Sequence, residues 1–320
     1  MKVGDLEIIQ ILDGEWTTPA APGLPHMDEE EAAAHSKYIL PGGKMMAQLG
    51  AFLVRSGNQL VLIDAGLGPK DHGCEHGNCG HVEHQQAAPV MARSDIEEFY
   101  RSKGASEAQV QWLSDMITTQ KLEHGWLSDS LAKAGVRPDE ITDVVLSHLH
   151  PDHMGWVARG GAPFFPKAKL WTHEADADYY LGENAPDETA FKVSLGVEST
   201  KSRMVPVHGQ IKLWDRDCTI APGIDLRHLP GHTPGSSIAV VSSGEDRAMI
   251  LGDVIHCPLE LVDNEFAIMA DIDPAMAKRS KDILRKELEG TNIHVSSSHF
   301  PGLEFGRLLK GEGKRYWVWA

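Results

Sequence analysis

Cysteine is scarce in this chain. There are four in 320 residues, at positions 74, 79, 218 and 257, too few and too scattered for a disulfide framework. Basic charge is short as well, with 30 Lys and Arg against 46 Asp and Glu and a formal net charge of −16. No run of Lys and Arg breaks that acidity, so the clustered cationic surface that binds nucleic-acid phosphates is excluded. Long apolar runs are also missing. Nothing approaches membrane-spanning length, and the opening Met1-Lys2-Val3-Gly4-Asp5 lacks the unbroken apolar stretch of a signal peptide. These absences point to a soluble, cytoplasmic protein with neither a nucleic-acid nor a membrane partner. An apolar content of 42% is ample for a substantial core.

Strand patterns occupy residues 6–12, 49–55 and 60–64, the last two joined by a turn at Ser56-Gly57-Asn58. Between 17 and 46 lies a Pro- and Gly-punctuated segment with an acidic helical patch at 28–35, which either caps a pocket or, on the simpler reading, crosses the surface. Residues from about 67 to 125 are polar and mostly helical in pattern, with a helix start at Ser94-Asp95-Ile96-Glu97, and read as an insertion. A helix over 126–134, with Leu127 and Leu131 on one face, ends at Gly135 and leads into an apolar strand at 141–146. The second half adds strands at 169–172, 209–214, 224–228, 237–242 and 248–252, a helix over 274–288 and a last strand at 292–296. Strand groups in both halves with helices between them predict an α/β domain over 1–320, two sheets packed face to face and covered by helices.

The run Ser147-His148-Leu149-His150-Pro151-Asp152-His153 follows the 141–146 strand. His148 and His150 are two apart, so in extended chain both rings leave the same face and can hold one ion. Pro151 breaks that geometry and turns Asp152 and His153 elsewhere, which suits a second ion nearby. Four side chains cannot complete two sites, and three later strand ends supply more. His232 lies in Leu229-Pro230-Gly231-His232-Thr233-Pro234-Gly235, Asp253 follows Leu251-Gly252, and His299 opens His299-Phe300-Pro301-Gly302.

In this pattern the chain resembles the metallo-β-lactamase superfamily, whose H-x-H-x-D-H motif is followed by a histidine, an aspartate and a final histidine. The resemblance runs from Asp64-Ala65-Gly66 to His299 and implies an αββα sandwich of two mixed sheets flanked by helices. Gly252-Asp253-Val254-Ile255-His256 and the closing His299-Phe300-Pro301-Gly302 are most similar to the branch of lactonases and methyl parathion hydrolase-type enzymes. Carried over by position, the resemblance implies that His148, His150 and His232 bind one metal and Asp152, His153 and His299 a second. Asp253 bridges them, and Asp64 braces a ligand histidine from behind; the plainer alternative for Asp64 is an ordinary strand-end carboxylate. Zinc is the expected ion at both positions, although iron, manganese or cobalt suit the same donors. A homodimer is implied by the resemblance alone.

Two divalent ions, two aspartates and a bridging hydroxide leave about +1 formal charge, which favours an oxyanion, and water so activated attacks a carbonyl or phosphoryl centre. The expected reaction is therefore hydrolysis of a small ester, lactone or related small-molecule substrate, with Asp152, Asp253 and His256 at the reacting centre. At one position the chain departs from quorum-quenching lactonases, which carry a substrate-binding tyrosine three residues after the bridging aspartate. Here that position is His256, either a donor to the substrate or a pocket-wall histidine. Scaffold rivals are a mono-iron sulfur dioxygenase and a glyoxalase II-like thioesterase, the latter with only Lys310, Lys314 and Arg315 as its basic patch. A zinc β-lactamase is disfavoured because Asp253 supplies a bridge such enzymes lack.

Other metal-capable groups compete with this reading. Cys74 and Cys79, with His72, His76, His81 and His84, form either an extra metal site or a glycine-rich flap. His173, His208 and His228 are isolated and read as structural, and Cys257 reads as packing. Trp156, Phe164, Phe165, Phe266 and Phe300 follow the ligand motifs and are either an apolar substrate wall or core.

Overall fold

The computed structural model describes residues 1–19, 33, 35–70, 92–268 and 270–320. Side-chain alternation along the strands explains its layers. On the strand Lys44–Ser56, Phe52 and Val54 face one way and Ala51 and Leu53 the other, all fully buried. Phe52 and Val54 join Ile8, Val61, Ile63 and Val145 in an apolar layer completed by Ile224, Leu226, Ala239, Val241, Ala248 and Ile250 of a second sheet. Ala51 and Leu53 join Leu62, Val144 and Leu146 beneath Leu127, Leu131 and Tyr180 of two covering helices. On the far side of the second sheet, Ile238, Val240 and Met249 pack against Leu284 and Leu288 of the helix Pro274–Leu288. The order is helix, sheet, sheet, helix, the expected αββα arrangement.

In the first sheet the strands run Lys2–Val3, Leu6–Pro19, Lys44–Ser56, Gln59–Ile63, Asp143–Val145, Lys169–His173 and Ile211–Trp214 in spatial order. The last four are joined in parallel. The second sheet runs in chain order from Cys218–Ala221 to Lys314–Trp319, antiparallel except where Asp246–Ile250 meets His294–Ser296 in parallel. Parallel strands deliver their carboxyl ends to one edge, where an α/β fold commonly binds its ligands. Asp64, the Ser147–His153 run, Asp253 and His299 all emerge at such ends.

The helices Leu127–Lys133 and Pro274–Leu288 lie where the sequence pattern predicts them, and Gly135 takes the positive φ of 70° that a helix-ending glycine permits. The first strand is longer than expected. It continues past residue 12 to Pro19 through a register shift between Leu12 and Gly14, a bulge that aims Asp13 inward. The hairpin of Gly306–Gly311 and Lys314–Trp319, which closes the second sheet, was not anticipated.

Within 67–125, the helices Arg93–Ser102 and Glu107–Thr119 dock on the first sheet through Ile96, Met116 and Ile117 against Trp16, and Lys121–Glu123 pairs with Leu6–Pro19. The acidic patch at 28–35 lies almost wholly, and the Cys74 to His84 segment wholly, outside the described residues. Among the described residues no helix is long and apolar enough to cross a membrane.

Candidate metal centre

Local backbone chemistry builds the ligand run. His148 and His150 leave the end of Asp143–Val145 with ring centroids 4.6 Å apart. Pro151 then starts the short helix Pro151–Met154, whose first turn holds Asp152 and His153, a position where proline's missing N–H is harmless. The sharp turn before Asp253 needs Gly252, which sits at φ 49° with space for a Cβ only 2.7 Å from the Ser147 Cβ.

The seven candidate ligands form two groups. His148, His150, His232 and Asp253 converge in one, and Asp152, His153 and His299 in the other, all buried apart from the partly exposed Asp152. Asp253 faces both. Its Oδ1 is 3.2 Å from the Nε2 atoms of His153 and His299, while its Oδ2 is 3.4 Å from His232 Nε2 and 3.8 Å from His148 Nε2. Within the groups, His150 Nδ1 and His232 Nε2 approach to 2.9 Å, and His153 Nε2 and His299 Nε2 to 3.3 Å. Donors about 2.0–2.1 Å from a tetrahedral ion stand about 3.3 Å from one another, so these separations match the edges of two coordination shells. His148 Nε2 and Asp253 Oδ1 are buried without a hydrogen-bond partner, an expensive arrangement unless a cation satisfies them. The donor set therefore fits two divalent ions.

Protonation favours the same use in the first group, whereas in the second the Asp253 and Asp152 carboxylates raise His153 and His299 above the ordinary histidine range. Burial and neighbouring imidazoles hold His148 and His150 well below the ordinary histidine range, leaving them neutral and able to ligate. Burial opposes ionisation of Asp253, but the surrounding His153, His299 and His256 outweigh it and hold the carboxyl well below its usual range.

Each Nε2-presenting histidine is braced at its other nitrogen, which fixes tautomer and orientation. His153 Nδ1 donates to Asp64 Oδ2 at 2.8 Å, His232 Nδ1 to Asp271 Oδ1 at 3.2 Å, His299 Nδ1 to the Gln48 carbonyl at 2.8 Å and His148 Nδ1 to Ser147 Oγ at 3.1 Å. Asp64 meets His153 in this way at the end of its strand. It also accepts from Ser147 N, Ser147 Oγ and Ser298 Oγ, and holds a positive φ of 62°.

Four supporting residues escaped the sequence reading. Asp13 accepts from Leu127 N and Trp156 Nε1 with one oxygen and from Leu67 N and Gly68 N with the other. Asp176, on the helix Glu174–Leu181, ties both ligand loops together by accepting from Leu149 N, Thr233 Oγ1 and Gly235 N. Burial raises its pKa to about 6. Glu260 and Asp271 each take one histidine Nδ1 and share the ammonium of Lys281. A carboxylate one helical turn beyond His256 was the available signal for Glu260; nothing in the sequence spacing singled out the others.

His256 is buried at the rim of the centre. Its Nε2 lies 3.3 Å from Asp253 Oδ2 and its Nδ1 3.2 Å from Glu260 Oε2, and it belongs to neither ligand group. Burial lowers its basicity, but the Asp253 and Glu260 carboxylates raise its pKa to about 10. The aromatic residues do not form a substrate wall. Trp156, Phe165, Phe266 and Phe300 are buried in apolar clusters, with Phe164 packed against one of them. His173 stacks on His228 with centroids 3.8 Å apart, His208 is exposed, and none of the three joins a ligand group. Cys257 packs with Tyr38, Met45, Leu259 and Phe266, and burial pushes its thiol up, so it is no nucleophile.

An αββα sandwich with this edge of histidines and aspartates defines a class. A profile of the metallo-beta-lactamase superfamily matches residues 104–290, and the chain belongs to that superfamily. Among its relatives, an N-acyl homoserine lactonase of Bacillus thuringiensis is 24% identical over 183 residues, 55% of this chain and 64% of that protein. The N-acyl homoserine lactonase AiiB of Agrobacterium fabrum is 27% identical over 229 residues, 67% of each chain. The first of these matches therefore spans less than two thirds of the relative's length. Among solved structures, AidC, a dizinc quorum-quenching lactonase in complex with a product, aligns at TM-score 0.71 and 21% identity over 99% of this chain and 95% of its own. The hydrolase AbOPH aligns at TM-score 0.69 and 21% identity over 100% of this chain and 95% of its own.

Proposed function

We propose that this protein is a binuclear metal-dependent hydrolase of a small ester or lactone. The observation that carries the reading is Asp253, whose two oxygens face two separate histidine groups. When bound there, two divalent ions, with zinc the expected metal, supply Lewis acidity and ionise water near neutral pH. The chain's own residues hold and shape that centre. His148, His150 and His232 would hold one ion and Asp152, His153 and His299 the other, with Asp253 available to both. Asp64 keeps the His153 proton on Nδ1, so that Nε2 remains a donor atom toward the metal. His256, anchored through Nδ1 on Glu260, presents Nε2 at the rim and donates to the oxygen on which charge develops as the ester or lactone opens. The lactonase names of the relatives support the lactone half of this substrate class.

The test joins metal quantification to a panel of lactones, aryl esters, phosphotriesters, β-lactams and glutathione thioesters. Two ions per chain with turnover of lactones or aryl esters is the expected outcome. A single iron with oxygen uptake, or turnover confined to β-lactams or glutathione thioesters, would overturn it.

A further inference from the structure

The helix Pro274–Leu288 presents Ala277, Ser280, Lys281, Leu284, Arg285 and Leu288 to the interior. Lysine is out of place in that series, and Lys281 is only 2% exposed. A buried ammonium survives only when paired and hydrogen-bonded. Lys281 has two carboxylates, Glu260 Oε1 at 2.7 Å and Asp271 Oδ2 at 3.1 Å. In each carboxylate the second oxygen reaches a histidine of the centre: Asp271 Oδ1 takes His232 Nδ1 at 3.2 Å, and Glu260 Oε2 takes His256 Nδ1 at 3.2 Å and His256 N at 2.6 Å. The same helix holds the surrounding backbone. Ser280 Oγ donates to the Pro230 carbonyl and the Arg285 guanidinium to the Glu260 carbonyl, while a Cβ on Gly231 would lie 2.1 Å from Ala277 N.

We propose that Lys281 is a positioning residue for the metal centre, fixing the His232 ring through Asp271 and the His256 ring through Glu260, so that one buried cation orients a metal-facing and a substrate-facing imidazole together. This rests on the binuclear reading above. Without the ammonium, two carboxylates would be left buried and mutually repelling, and each would relax toward whatever donor it could reach. Both rings would then lose their fixed direction. Partners one step behind a ligand commonly change metal affinity or activity by about 10- to 100-fold when altered.

The experiment resolves the two zinc-binding steps by chelator competition in the full chain, with lactone hydrolysis measured at saturating zinc. Lys281→Met is expected to weaken one step by about tenfold or more, to leave the other within about threefold, and to lower kcat by about tenfold. Asp271→Asn should reproduce the weakened step. Glu260→Gln should leave both steps within about threefold and lower kcat by about tenfold. A merely structural lysine would lower the unfolding temperature without separating the two steps; that result, or equal weakening of both steps, overturns the proposal. If Lys281→Met does not fold, the two carboxylate variants decide. The proposal stands if they separate zinc binding from kcat as stated, and falls if each changes both or neither. Fewer than two ions in the unaltered chain would instead overturn the binuclear reading.

Discussion

Replacing Asp64 by Asn tests whether the strand-end carboxylate governs the metal centre. Asparagine tolerates the positive φ of 62° better than most residues, and its carbonyl still accepts from Ser147 N. The difference falls on Oδ2, which takes Ser147 Oγ at 3.0 Å, Ser298 Oγ at 2.7 Å and His153 Nδ1 at 2.8 Å. The two hydroxyls can rotate and accept from the new amide N–H groups. The imidazole cannot accept without moving its proton to Nε2, the atom turned toward Asp253 Oδ1 and the second ligand group. The variant thus either leaves a buried N–H facing an N–H, at about 1–3 kcal/mol, or blocks a donor atom to the metal. Either route weakens the His153 ion by about 10- to 100-fold. Zinc competition with a chromophoric chelator, together with urea unfolding, measures both. Binding of both ions within about threefold, with stability unchanged, would refute the role assigned to Asp64.

Asp13 provides the contrast. Its four donors are three backbone N–H groups and an indole, none able to reverse, so Asp13→Asn should destabilise the fold by about 2 kcal/mol or more while the folded protein binds zinc as before; urea unfolding and chelator competition check the two halves. Asp176 predicts a pH dependence. Burial raises its folded pKa from 3.8 to about 6, so its contribution to stability is fully present below the unfolded value and is lost as pH rises through the folded one. Unfolding measured from pH 4 to 7 should show Asp176→Asn gaining on the unaltered chain by on the order of 3 kcal/mol as pH rises, and a constant difference would refute the assignment.

Much of this architecture is legible in the sequence because the fold depends on local periodicity. The continuous apolar run at 49–55 and the helical period over 274–288 report buried elements directly. The histidine run stands out by its spacing, and the proline within it opens the short helix that carries Asp152 and His153. What the sequence conceals depends on long-range contact. Asp13-Gly14 reads as a chain break, yet the register shift there makes a bulge whose carboxylate meets Leu67, Leu127 and Trp156. The partners of Lys281, Glu260 and Asp271, lie 21 and 10 residues away, and helical spacing does not reveal them. Nearness in the chain is not nearness in space for the aromatic residues after the candidate ligand motifs; Phe300 follows His299 and still points into the core.

Asp253 carries the central claim, since one carboxylate faces both ligand groups. The most direct measurement is metal content and lactone or ester turnover of Asp253→Ala beside the unaltered chain, both loaded with zinc under the same conditions. The unaltered chain should hold two ions and turn over substrate, and the variant should hold no more than one ion and show no measurable turnover. Two retained ions with near-normal turnover in the variant would contradict it.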